Sequence, residues 1–115
     1  MKERLEAYTA ALNRYDLDAV AAMFADNAIY ISPGLNGALH GRGAIMEAFH
    51  AYFADHKDQV NVDRHIRMIS TKDVQSDWSL TATNARTGEA VSRKGTQVVT
   101  FNGEGKIALI QVLDF

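Results

Sequence analysis

Two hydrophobic rhythms divide the chain. In the first half, Leu5, Tyr8, Leu12 and Tyr15 recur at three- and four-residue steps, which is the stripe of a helix with one buried face. Asp16 is placed to cap a second helix, with Asp18 near its positive end, and Leu17, Val20, Ala21 and Phe24 share a face of that helix. "ADN" then interrupts the period, and Ala28 to Ser32 alternates as a strand. Pro33 with Gly34 ends the strand, because proline has no N–H to give an interior ladder. The stretch "GRGAIMEAFHAYFADH" resumes the helical period and turns Ile45, Ala48, Phe49, Tyr52 and Phe53 to one side.

From Gln59 onward the period is two. "QVNVDRHIRMIS", "DWSLTATNA", "GTQVVTF" and "KIALIQVLDF" read as strands, joined by the turn-forming "TKDVQSD", "ARTGE" and "NGEG". "SRKG", Ser92 to Gly95, reads as a solvated hairpin edge. Parity puts Trp78, Leu80 and Ala82 inward and Asp77, Ser79 and Thr81 outward. On the last strand Ala108, Ile110, Val112 and Asp114 share one side, with Leu109, Gln111 and Leu113 on the other. Both sides carry apolar residues, so neither suits free exposure to water. Helices followed by an antiparallel meander predict one α+β domain over residues 1–115, with the helices on one face of the sheet.

Composition narrows the function classes. Apolar and charged fractions of 47% and 23% are those of an ordinary globular protein. A formal charge of −2 gives no electrostatic reason to expect a nucleic-acid or anionic-membrane partner. No apolar run approaches the roughly 20 residues that span a bilayer, and "MKERLEAY" lacks the apolar core of a secretion signal. The absence of cysteine removes disulfides, thiol catalysis and thiolate metal sites, and fits a cytoplasmic protein.

The order of motifs carries a resemblance. In "YDLDAVAAMFADNAIYISPGLNGALHGRGAIMEAF", Tyr15 to Phe49, a helix ends in "MFADNA", a strand ends at proline, and "HGR" leads into the third helix. With the closing "TFNGEGKIALIQ", this resembles the nuclear transport factor 2-like superfamily, in particular its SnoaL-like and ketosteroid isomerase-like branches. The resemblance implies a cone-shaped, curved mixed or antiparallel sheet packed against three N-terminal helices. It also implies a largely apolar pocket for a small apolar molecule, no cofactor, and a homodimer formed through the outer sheet face.

Candidate chemistry follows from the same motifs. Ketosteroid isomerases use an Asp base, with a Tyr and a protonated Asp as donors to the developing enolate. The matching positions here are Ser32, Tyr8 and Gln97. A serine hydroxyl is a poor proton acceptor near neutrality and needs a neighbouring base to become a nucleophile, so the ketosteroid isomerase mechanism is not expected. Tyr8 lies on an apolar stripe and suits either the core or a pocket wall. Asp114 shares its strand side with Ile110 and Val112, and SnoaL-like cyclases resemble this arrangement in relying on pocket aspartates. Asp114 and Tyr8 are therefore the candidate catalytic residues of a cofactor-independent isomerase, cyclase or lyase. Ser32, Gln97, Trp78, Ile110, Val112 and His40 are the candidate ligand contacts. No metal site is expected, since His50 and His56 fall on different helix faces. Asp63, His65 and Arg67 share one strand side by parity and read as a solvated outer face, with a polar patch in the pocket as the alternative. Limonene-type epoxide hydrolases of this fold use an Asp–Arg–Asp set, and the spacing of Asp63, Arg64, Arg67 and Asp114 does not match it. The alternative to an enzyme is a non-catalytic ligand-binding or protein-interaction homodimer.

Overall fold

The computed structural model describes residues 1–33 and 37–115. Among these, α1 (Lys2–Asn13) and α2 (Leu17–Met23) precede β1 (Phe24–Ser32), β2 (Gly37–His40) and α3 (Arg42–Asp55). Then come β3 (His56–Met68), β4 (Asp73–Asn84), β5 (Ala90–Phe101) and β6 (Ile107–Asp114). The sheet order is β2-β1-β6-β5-β4-β3. β3 to β6 form the expected antiparallel meander, and β1 joins β6 in parallel, which makes the sheet mixed.

Helix chemistry works as the sequence predicts at α2, where Asp16 accepts a hydrogen bond from the Ala19 N–H. The apolar faces of the helices close on the sheet. Leu5, Val20, Phe24 and Ile45 pack with Val74, Val99, Phe101, Ile107 and Ile110 in one fully buried cluster. Phe24 meets Tyr8 edge-on at 5.9 Å and Phe49 at 6.0 Å, the geometry that ring quadrupoles favour.

Several boundaries differ from the sequence reading, each for a reason of partnership. Phe24 opens β1 rather than closing α2, and "ADN" lies within that strand, where the register shifts between Phe24 and Ile29. β2 follows the strand end at Pro33 and pairs back on β1, Gly37 with Ser32 and His40 with Ile29. Four mostly exposed edge residues carry too little periodicity to announce a strand. Gly34, read as part of the strand's end, lies outside the described residues. β4 begins at Asp73 and β5 at Ala90, earlier than read, because each has a full ladder partner there: Asp73 pairs with Thr100 and Thr83 with Ala90. "SRKG" is therefore the interior of β5, not a hairpin edge.

The edge strand β3 is covered by side chains. Asn13 donates to the Asn61 carbonyl at 3.0 Å and accepts from its N–H at 2.7 Å. The Tyr15 hydroxyl accepts from the Gln59 N–H at 2.9 Å and donates to the His56 carbonyl at 3.2 Å. These groups satisfy backbone that would otherwise offer a template for another strand.

β3 also contains the irregularity that builds the site. His65 takes a positive φ of 53°, and pairing shifts between Arg64 and Arg67, as at a bulge. The bulge resets the alternation. Asp63 pairs with Trp78 and turns inward, whereas His65 bonds Asp77 at 2.7 Å with both side chains exposed. Asp63 thus does not belong to an outer polar face with His65 and Arg67.

Candidate functional site

Cross-strand register arranges the inner face of the sheet in rows. Val74, Val99, Ile110 and Tyr30 are paired across β4, β5, β6 and β1. The next row holds Ser76, Gln97 and Val112. Beyond it lie Asp63, Trp78, Gly95 and Asp114, followed by Asn61, Leu80 and Arg93. The first row is sealed into the core, while in the later rows α1 meets the sheet at β3, where Thr9 bonds Asp63 and Asn13 bonds Asn61. A cavity of about 210 Å³ opens there, with Phe49, Tyr52 and Phe53 of α3 and Tyr8, Thr9 and Leu12 of α1 as its other walls.

One end of the cavity is organised around Asp63. Its Oδ1 accepts from the Ser76 hydroxyl at 2.8 Å and from the Gln97 amide at 3.1 Å, and its Oδ2 accepts from the Thr9 hydroxyl. Gln97 also donates to the Ser76 oxygen at 3.2 Å, and Ser76 is fully buried. Both carboxylate oxygens are thereby held in one orientation by neutral donors. Tyr8, next to Thr9 on α1, lines the same cavity and is 5% exposed. Burial raises its pKa well above the ordinary phenol value, and the neighbouring Tyr30 and Asp63 add to the rise. A phenol so placed stays protonated at neutral pH and acts as a donor.

The other end is organised around Arg93. Its Nε and Nη2 donate to Asp114 Oδ2 at 3.0 and 2.6 Å, and its Nη1 reaches the Tyr52 hydroxyl at 3.5 Å. The guanidinium lies 5.5 Å from the centre of the Trp78 ring, a cation–π distance. Burial works against its charge, but the hydrogen bonds to Asp114 and Tyr52 prevail, and the pKa lies above the usual arginine value. Tyr30 is pushed up to about 12, chiefly by burial. Asp63 and Asp114 stand in one row three strands apart, roughly 14 Å along the sheet at about 4.8 Å per step.

Of the residues anticipated from sequence, Tyr8, Ser32, Gln97, Trp78 and Val112 line this one cavity. Asp114 reaches it through Arg93, and Ile110 lies beneath it in the core. His40 is on the edge strand β2, exposed and paired with Ile29. The sequence reading passed over Thr9, Tyr30 and Arg93 as site residues, and weighed Asp63 without choosing it. Tyr30 carried a usable signal, being two residues before Ser32 on the same strand face. Among the described residues, no three histidine or acidic side chains gather closely enough to hold a metal ion, and no helix is long and apolar enough to cross a membrane.

Comparison with known proteins agrees with this architecture. The SnoaL-like domain profile matches residues 5–110, whereas no curated protein sequence matches. The solved structure of the epoxide hydrolase/cyclase-like enzyme SalBIII, which has a role in pyran ring formation in the polyether salinomycin, is 25% identical. The match covers 99% of this chain and 89% of that one, with a TM-score of 0.87. An NTF2-like protein of unknown function from Exiguobacterium is 17% identical over 97% and 98% of the two chains, with a TM-score of 0.85. A protein of ketosteroid isomerase-like fold from Catenulispora acidiphila, in complex with trimethylamine, is 15% identical over 96% and 84%, with a TM-score of 0.84. The cone-shaped NTF2-like fold, three helices against a mixed sheet, is therefore the fold of this chain.

Proposed function

This chain belongs to the SnoaL-like domain family, and on that premise we propose that its cavity binds a small oxygen-bearing organic molecule and performs cofactor-free acid/base chemistry on it. The observation that carries this reading is the Asp63 carboxylate, oriented by Thr9, Ser76 and Gln97, in the same cavity as the Tyr8 hydroxyl, which is left outside that network. Asp63 accepts or holds a proton, and Tyr8 donates a hydrogen bond to an oxygen on which negative charge develops. Ser32 supplies a second hydroxyl to the ligand. Gln97 acts chiefly by positioning Asp63, and Asp114 acts by holding Arg93 at the other end. Val112, Trp78 and the rings of α3 give the ligand its apolar contacts. The likeness to an enzyme of pyran ring formation supports an isomerase or cyclase type of reaction. Ser32, in the place of the isomerase base, argues against ketosteroid isomerisation.

The test is a screen of small ketones and epoxides for turnover, repeated with Asp63→Asn and Tyr8→Phe. Each variant should lower kcat by roughly 10²–10⁴ while remaining folded. Full activity in Asp63→Asn would remove Asp63 from the chemistry.

A second reading is a ligand-binding homodimer without catalysis. Its dimer would form through the outer sheet face, where Leu113 is 58% and Ile31 41% exposed. Dimerisation through that face is compatible with either reading, since the cavity lies on the other side of the sheet. The cytoplasm is the compartment we assign, in keeping with a cysteine-free chain.

A further inference from the structure

We infer that the Arg93–Asp114 pair is a charge filter, admitting ligands with a neutral oxygen and turning away carboxylates of the same shape. The inference rests on the small-molecule reading above and specifies the class of molecule.

Arg93 lines the cavity, whereas Asp114 stands behind it and is not part of the wall. An arriving ligand therefore meets a guanidinium whose charge is already balanced. Two of its nitrogens, Nε and Nη2, are committed to Asp114 Oδ2. Nη1 makes the longest contact, 3.5 Å to the Tyr52 hydroxyl, and is the edge from which a further hydrogen bond can be given. A ketone, ether or hydroxyl oxygen takes that donor and leaves the ion pair intact. A carboxylate also attracts Arg93, but it must then face Asp114 across the same guanidinium and Asp63 at the other end. Like charges brought together in a partly desolvated site are disfavoured. The Arg93 guanidinium lies over Trp78, 5.5 Å from the ring centre, so Arg93 cannot turn away from Asp114 toward an anionic ligand without losing that contact. The pair thus selects by what it has already neutralised. An unpaired arginine at the same place would select the opposite class.

The matched probes are benzylacetone, a neutral ketone, and hydrocinnamate, a carboxylate of nearly the same shape and size. Isothermal titration at neutral pH with the full chain should show tighter binding of benzylacetone. Asp114→Asn keeps an acceptor oxygen for Arg93 and removes the charge. It should shift the affinity ratio toward hydrocinnamate by about tenfold, a figure reduced from the bare Coulomb expectation because both partners are about one-third exposed. Arg93→Gln, which leaves Asp114 in place, should shift the ratio the other way. Circular dichroism confirms that the variants are folded. If hydrocinnamate binds the unaltered protein at least as tightly as benzylacetone, or if both folded variants keep its ratio, the filter is overturned while the binding cavity stands. If neither probe binds the unaltered protein or the variants, the small-molecule reading falls and the filter falls with it.

Discussion

Gly95 sits where the ladder between β5 and β6 has no room for a side chain. A Cβ at this position would stand 2.8 Å from the Leu113 carbonyl carbon and 3.0 Å from Asp114 Cα, and closer still to the Leu113 oxygen. Because the obstacle is backbone, rotamer changes cannot relieve it. Gly95→Ala must push the end of β6 off β5. Two independent routes give the magnitude. Overpacking of a fitted interior costs typically 1–3 kcal/mol. Peeling the strand end instead gives up the pairing of Gly95 with Asp114 and Thr96 with Leu113 and the bond from the Phe115 N–H to the Lys94 carbonyl. At about 1 kcal/mol for each of the hydrogen bonds lost, that comes to roughly 2–3 kcal/mol. Both routes converge on about 2–3 kcal/mol, and peeling sets the ceiling.

The loss is read as the difference in unfolding free energy from urea titrations with an unchanged slope. Amide hydrogen exchange locates it: protection of Leu113 and Phe115, whose N–H groups face β5, should collapse, while that of Val99 and Ile110 in the core row should hold. The same displacement carries Asp114 away from Arg93, so the variant should also lose the ligand preference assigned to that pair. An alanine variant as stable as the parent, with Leu113 and Phe115 still protected, would refute the claim that the strands meet too closely for a Cβ.

The remaining predictions concern the site and the outer face. Asp63→Ala strips three donors of their acceptor, of which the fully buried Ser76 has least recourse to water; it should cost about 2 kcal/mol, and Asp63→Asn about 1 kcal/mol, by urea unfolding. Unchanged stability in the alanine variant would reject the network. Tyr8 and Tyr30 have raised pKa values in the folded state, so the stability they contribute is fully present below the ordinary tyrosine pKa of about 10 and is lost as pH rises toward the folded values. The unfolded chain ionises first, and Tyr30→Phe should flatten the alkaline fall in urea midpoint. Leu113→Lys places a charge on the outer face, and sedimentation should show the homodimer assigned to that face shifting to monomer; an unchanged mass would move the interface elsewhere.

Much of the fold was legible because its signals are local. A helix and a strand differ in period, 3.6 against 2. The stripe of Leu5, Tyr8 and Leu12 and the alternation of Ile110, Gln111 and Val112 each state their own element. The proline after Ser32 and the order of motifs around it pointed to the family. Trp78 and Val112 were placed at the cavity by counting along their strands, and Tyr8, Ser32 and Gln97 by the resemblance of the motifs around them.

The less legible residues are those whose orientation depends on a partner. Parity kept Asp63 on one side with His65 and Arg67, outer face or pocket, and the bulge at His65 separates them. Arg93 sits in a run of polar residues that reads as a solvated hairpin edge, and only pairing with Leu80 makes it a strand residue facing the cavity. The sequence alone determined the types of most elements, the class of the fold and the apolar faces that must be covered. The tertiary structure decided that β1 lies parallel to β6, which β3 residues turn inward, and which acid meets which donor. The physical reason is that periodicity is a property of a segment, whereas register belongs to a pair of strands. A single bulged residue, stabilised only by its neighbour's ladder, is enough to reverse the side on which a carboxylate stands.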